Sequence, residues 1–106
     1  MAKRSVNKEI IETVEKYINE VRKDYDVNGA YLFGSYANGT FREESDIDVA
    51  IILNDFDNCV VEMAKLGKYA WNIDTRIEPH PIRINDFNTH NNYFVNEIIN
   101  TGIKLI

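Results

Sequence analysis

The sequence predicts an α/β (α+β) fold, a small mixed β-sheet flanked by helices in the order α-β-(α)-β-α-β-α. Three observations predict it. Apolar residues recur at helical spacing near the start and again after residue 58. Two segments, 45–53 and 74–82, alternate with a period of two. Helical and extended segments also alternate along the chain, the pattern of a sheet covered by helices. With 106 residues there is room for one core, and residues 1–106 are read as a single domain.

The first helix is read over 6–25, with Val6, Ile10, Ile11, Val14, Tyr17, Ile18 and Val21 on one face, and Asn28-Gly29 breaks the pattern. Residues 30–33, Ala-Tyr-Leu-Phe, form a short buried strand ending at Gly34-Ser35. Residues 36–45 are polar and read as a short helix or turn plus loop. In 45–53, Asp46, Asp48, Ala50 and Ile52 share one face, and Ile47, Val49, Ile51 and Leu53 the other. The connection between these strands is about ten residues, and a parallel crossover usually needs a dozen or more, so they should run antiparallel. That would set Gly34-Ser35 beside Asp46 and Asp48.

A second helix follows the capping residues of "NDFDN". Val60, Met63, Ala64, Gly67 and Trp71 are read as its buried face, with Gly67 marking a close approach to a neighbour. In 74–82, Asp74, Arg76, Glu78 and His80 share a face, and Pro79 and Pro81 place this strand at an edge or end it there. A helix over about 91–101 stops at Gly102, and "IKLI" closes the chain as a short strand.

Composition narrows the function. The charge balance is −5 with no long basic run, which argues against stable nucleic-acid binding. One cysteine, Cys59, excludes an internal disulfide and a multi-cysteine metal site, and no adjacent histidine supports it as a nucleophile. No apolar run nears the roughly 20 residues of a membrane span, and "MAKRSVNKEI" lacks the apolar segment of a secretory signal. A cytoplasmic protein without membrane contact is expected.

The pair Asp46-x-Asp48 carries the chemistry. Two carboxylates on one strand face repel unless a positive group sits between them. A hard divalent cation, with oxygen ligands and substrate phosphates completing its shell, meets that need. A glycine lets backbone approach a phosphate and a serine hydroxyl can donate to it, which suits Gly34-Ser35. Glu78, on a later strand, can join the acids. Such a set can orient a nucleoside triphosphate for in-line attack. His80 is read as a structural or rim residue, Arg42, Glu43 and Glu44 as a solvated turn from which Arg42 could reach a phosphate, and His90 as loop.

Gly34-Ser35, ten residues, then Asp46-Ile47-Asp48 resembles the GS-x10-DxD signature of the DNA polymerase β-like nucleotidyltransferase superfamily. "YLFGSYANGTFREESDIDVAI", with "RIEPHPI" and "FVNEIINTGI", is similar to its minimal nucleotidyltransferases, stand-alone domains of about this length. The resemblance covers the chain from about residue 30 onward. It implies the polymerase β-like fold, Mg2+ as cofactor, Gly34 and Ser35 binding nucleotide phosphate, and Asp46, Asp48 and Glu78 as catalytic, metal-holding residues. The family often has Asp in the third position, and Asp74 is a competitor of Glu78 for it. The implied activity is transfer of AMP from ATP, or of another nucleotide from its triphosphate. Minimal members are commonly paired with a HEPN-type protein in toxin–antitoxin modules, and some modify a tyrosine of that partner. The alternative is an inactive nucleotide-binding or partner-masking module. Pairing of two copies into a homodimer is left open.

Overall fold

The computed structural model describes residues 8–42, 44–88 and 92–106. Val6, Glu43, His90 and the expected start of the last helix at 91 lie outside them. The elements are α1 (Lys8–Val21), β1 (Val27–Phe33), α2 (Ser35–Asn38), β2 (Ile47–Leu53), α3 (Cys59–Gly67), β3 (Ile77–Arg83), α4 (Ile84–Asn88), α5 (Tyr93–Thr101) and β4 (Ile103–Lys104). A 3-10 turn over Lys68–Ala70 extends α3. The sheet has the order β3-β2-β1-β4. β1 runs antiparallel to β2 and to β4, and β2 runs parallel to β3. The short β1–β2 connection thus yields the expected antiparallel pair, while the α3 crossover yields the parallel one, so the sheet is mixed.

One face of the sheet is closed. Ala30 and Leu32 of β1, Ile47, Val49, Ile51 and Leu53 of β2, and Ile77 of β3 form one core with Ile10, Val14, Tyr17, Ile18 and Val21 of α1 and with Leu66 and Ala70. The Tyr17 hydroxyl donates to the Leu66 carbonyl at 2.8 Å, so α1 and α3 are tied together where a lone buried hydroxyl would be costly. The opposite face carries a smaller cluster, Ala50, Ile82, Val95 and Ile98, flanked by Tyr31, Phe33, Phe87 and Ile99.

The edge position expected of β3 is found, and its prolines fit it. The Arg76 carbonyl accepts from Ile47 N–H at 2.8 Å. Residues of the same parity, Glu78, His80 and Ile82, therefore turn their backbone groups toward β2. Pro79 and Pro81 have the other parity, so the missing N–H groups fall on the free edge. A strand with two prolines is kept intact and made a poor template for further pairing.

The buried face of α3 differs from the expected one. Val60 and Trp71 are 75% and 69% exposed, while Leu66 and Ala70 are buried. Of the expected face, Met63 is half-buried and in register with Leu66 and Ala70, while Val60, Ala64, Gly67 and Trp71 are one residue out of it. Apolar residues stand in both registers, and the contact of Leu66 with Tyr17 marks the one that packs. A Cβ on Gly67 would meet nothing within 4 Å, so that glycine marks no close approach. α4 has no counterpart in the sequence reading. α5 starts at the Asn92 cap, whose side chain accepts from Phe94 and Val95 N–H, and it ends at Gly102 as expected. Gly102 is extended (φ −80°); its glycine answers a lack of room, because a Cβ there would lie 2.5 Å from the Ile98 carbonyl oxygen.

Candidate active site

β1 ends at Phe33, and the chain turns through Gly34 with φ 77° and ψ −152° into α2. That backbone region is nearly restricted to glycine. Space enforces it too, since a Cβ on Gly34 would collide with the carboxylate of Asp48. Ser35 follows as the first residue of α2. The expected neighbourhood of Gly34-Ser35 and the acidic pair is therefore present.

The strand register builds the rest. Phe33 stands opposite Asp48 on β2, and Asp48 stands opposite Glu78 on β3. One row thus crosses three strands, and the next row holds Tyr31, Ala50 and His80. All of these side chains share the partly open face, because residues paired directly across a sheet point the same way. Asp46 immediately precedes β2, is exposed, and lies near enough to the Glu78 carboxyl to raise it.

His80 was read as a structural or rim residue, yet it reaches into the cluster. Its Nε2 lies 3.1 Å from Asp48 Oδ1 and 4.0 Å from Glu78 Oε1. The signal was available: Glu78 and His80 are two apart on an alternating strand. What the sequence does not give is the register that sets both beside Asp48. Phe33 packs edge-on against the His80 ring at 5.0 Å, and Phe94 of α5 packs edge-on against Phe33 at 5.4 Å. An aromatic wall therefore stands on one side of the acids.

Asp74 is committed elsewhere. Its carboxylate takes Arg76 Nε at 3.0 Å and Nη2 at 2.7 Å, and the Arg76 backbone N–H at 2.9 Å. These bonds hold its carboxyl below the usual range, the Arg76 side chain being the main cause. Arg76 Nη1 also donates to the Tyr36 hydroxyl at 3.0 Å. Asp74 and Arg76 precede β3 and brace the loop. The geometry brings Glu78, and not Asp74, to Asp48.

The cluster is electrostatically unfavourable as it stands. The Glu78 carboxyl is raised above its ordinary value, first by burial. Nearby His80 opposes this, and the hydrogen bond that protonated Glu78 can donate to Asp46, with the charges of Asp48 and Asp46, adds to it. Side-chain exposures of 25% for Asp48, 24% for His80 and 43% for Glu78 leave the group open to a ligand. Ligand atoms of Asp48, Glu78 and His80 all lie within 4.8 Å of one another. Two carboxylates and an imidazole so close, with the Asp46 carboxylate beside them, are a donor set that fits a divalent cation.

Comparison with known proteins gives the family. Residues 15–106 match the family model described as Polymerase beta, Nucleotidyltransferase. A Methanocaldococcus jannaschii protein named "Putative protein adenylyltransferase MJ0141" is 30% identical over 102 residues, which is 92% of this chain and 96% of that protein. A crystal structure described as "the toxin-antitoxin with AMP-PNP" superposes with a TM-score of 0.67 at 26% identity, over 87% of this chain and 71% of that one. A Sulfolobus solfataricus structure, described as "a putative nucleotidyltransferase", shares the fold with a TM-score of 0.65 at 16% identity, over 98% of this chain and 89% of that one. A mixed sheet with Gly34-Ser35 at the end of β1 and acids at β2 and β3 is the arrangement that lies within the matched residues, and the chain belongs to the polymerase β-like nucleotidyltransferases.

Proposed function

We propose that this nucleotidyltransferase moves AMP from ATP to a hydroxyl of a partner protein, with Mg2+, as the antitoxin-like half of a pair whose other half is a HEPN-type toxin. The observation that carries the reading is the row Asp48–Glu78 with Gly34 packed against Asp48. It provides acids on two strands and a cleared backbone approach at one end. The protein adenylyltransferase naming of the Methanocaldococcus relative supports a protein acceptor. The neighbour described as a toxin–antitoxin with AMP-PNP supports an adenine nucleotide and a toxin partner.

In this reading Asp46 and Asp48 would hold the metal, and Glu78 lies on the acceptor side. The ion supplies positive charge to the phosphates and favours deprotonation of the attacking hydroxyl. Gly34, lacking a side chain, lets the Asp48 carboxylate pack against its backbone, and the Ser35 hydroxyl donates to a phosphate oxygen. The Glu78 carboxylate on the acceptor side takes the proton of the acceptor hydroxyl. That oxygen then bonds to the α-phosphorus as pyrophosphate leaves. The test is intact-mass measurement of the partner after incubation with this protein, ATP and MgCl2. Addition of AMP to the partner, lost with Asp48→Asn, is expected. A stable complex with no change of mass would overturn transfer and leave partner masking in its place.

A further inference from the structure

The imidazole of His80 is the donor in the cluster that the proposed reaction leaves unused. It is held in place from three directions. β3 fixes its backbone opposite Ala50, which is fully buried and whose single methyl leaves the ring free to lean toward Asp48. Phe33 packs edge-on at 5.0 Å and Phe94 lies at 6.1 Å.

The two spacings from His80, the shorter a hydrogen bond in the metal-free site, also suit one coordination sphere. With metal–ligand bonds of about 2.1 Å, cis ligands of an octahedron lie about 3 Å apart and trans ligands about 4.2 Å apart. His80 Nε2 is 3.1 Å from Asp48 Oδ1 and 4.0 Å from Glu78 Oε1. The group with ligand atoms mutually within 4.8 Å among the described residues is Asp48, Glu78 and His80, without Asp46. A nitrogen donor therefore stands beside the two carboxylates.

We propose that His80 is a metal ligand, and that Asp48, Glu78 and His80 form a mixed carboxylate–imidazole site that binds Mn2+ more tightly than Mg2+. Mg2+ favours an all-oxygen octahedron and dehydrates reluctantly. Imidazole raises affinity for first-row transition ions, in the order in which Mn2+ is the weakest. The inference rests on the proposed reading of Asp48 as a metal-holding residue and adds a Glu78 oxygen to the same shell.

The probe is MnCl2 added to the full-length protein. Continuous-wave EPR counts free hexaaqua Mn2+ and gives the affinity. Pulsed EPR detects nitrogen coupled to the bound ion, and MgCl2 is titrated as competitor. Expected are histidine-type nitrogen modulation in the wild type and its loss in His80→Gln and His80→Phe. Mn2+ affinity should fall about 10–100-fold in both, the scale seen when groups supporting a metal site are removed, with a smaller fall for Mg2+. The other of the two histidines is His90, and His90→Gln should leave the modulation unchanged. Should both His80 variants fail to fold, wild-type protein carrying 15N-histidine decides the question alone, by exchange of the 14N pattern for a 15N one. Bound Mn2+ without nitrogen coupling, or Mn2+ and Mg2+ bound equally, would overturn the proposal and leave the acids as a metal site. No Mn2+ bound at millimolar concentration would overturn both.

Discussion

β1 and β2 supply both faces of the sheet, and the two faces differ in kind although their residues interleave one by one. Val49 is fully buried against the helices, while its neighbour Asp48 is a quarter exposed. Leu32 is fully buried, while Phe33 lies beside His80 on the other side. The closed face is apolar from end to end. The open face is apolar only as far as Ala50 and Ile82, and beyond them come the acids. Stability and chemistry are therefore assigned to alternate residues of the same strands, and a substitution on one face should leave the property of the other nearly untouched. The largest test of this division is Asp48→Asn. It should remove AMP transfer below detection while the melting temperature holds or rises slightly, since one of several crowded negative charges is lost. A large fall in melting temperature would show that Asp48 supports the fold.

Glu78→Gln is the next test. Loss of a general base typically costs about 10²–10⁴-fold in rate. Glutamine keeps the size and an acceptor oxygen, so nucleotide affinity should change little while transfer into the partner falls by that factor. A rate within about threefold of wild type would take Glu78 out of the chemistry. Asp74→Asn would not be its substitute, because its expected effect is on the Arg76 brace. It should lower stability more than activity.

How far these two faces were legible in the sequence depends on whether local pattern or long-range register decides the placement. The alternation of Asp46 to Leu53 fixed which residues share a face, because a period of two allows only two choices. The short 36–45 connection gave the antiparallel pair and so set Gly34 near Asp48. The pairing of Glu78 with Asp48 and the reach of His80 depend on the parallel register of β2 and β3, which no local feature encodes. On α3, apolar residues occupy two helical registers, and the choice between them is made by Tyr17 of α1, which lies 49 residues away from Leu66 in sequence. The contrast can be measured. Leu66→Ala removes a fully buried side chain and should cost about 2–5 kcal/mol. Trp71→Ser, on the exposed side, should stay within about 0.5 kcal/mol. Chemical denaturation of the two variants decides which register packs, and the reverse order of costs would restore Val60, Ala64, Gly67 and Trp71 as the buried face.

A smaller effect is expected at the other end of the site. Ser35→Ala should weaken triphosphate binding by about 1–3 kcal/mol, the range for a hydrogen bond to a charged group, and lower transfer accordingly. The fold should not change, since Ser35 enters α2 without the conformational demand that Gly34 meets. Calorimetric titration with a non-hydrolysable ATP analogue and MgCl2 checks it. Wild-type affinity would make Gly34-Ser35 a turn whose glycine matters and whose serine does not.

The smallest effect expected is a pH dependence of the metal-free protein. The Glu78 carboxyl is raised in the folded state, mainly by burial and then by Asp46 and Asp48. A carboxyl with a folded-state pKa above its unfolded value binds more protons when folded, so the stability that it contributes falls as pH rises. The loss starts near the ordinary glutamate value, 4.5, and is complete once pH has passed the raised value. Below that window the protonated group adds no charge to the cluster. Above it, a third carboxylate is forced to ionise beside Asp46 and Asp48. The sign is opposite to that of Asp74, whose lowered carboxyl contributes stability that is present at neutral pH and lost on acidification. Glu78→Gln should remove the first dependence and leave the second, so that the variant gains stability relative to wild type as pH rises through the window. A divalent ion should erase the same difference by neutralising the cluster. Melting temperatures of both proteins between pH 4 and 7, with chelator and with added metal, provide the comparison. Parallel curves under chelator would mean that the three acids do not feel one another, and the open face would then be an ordinary charged surface.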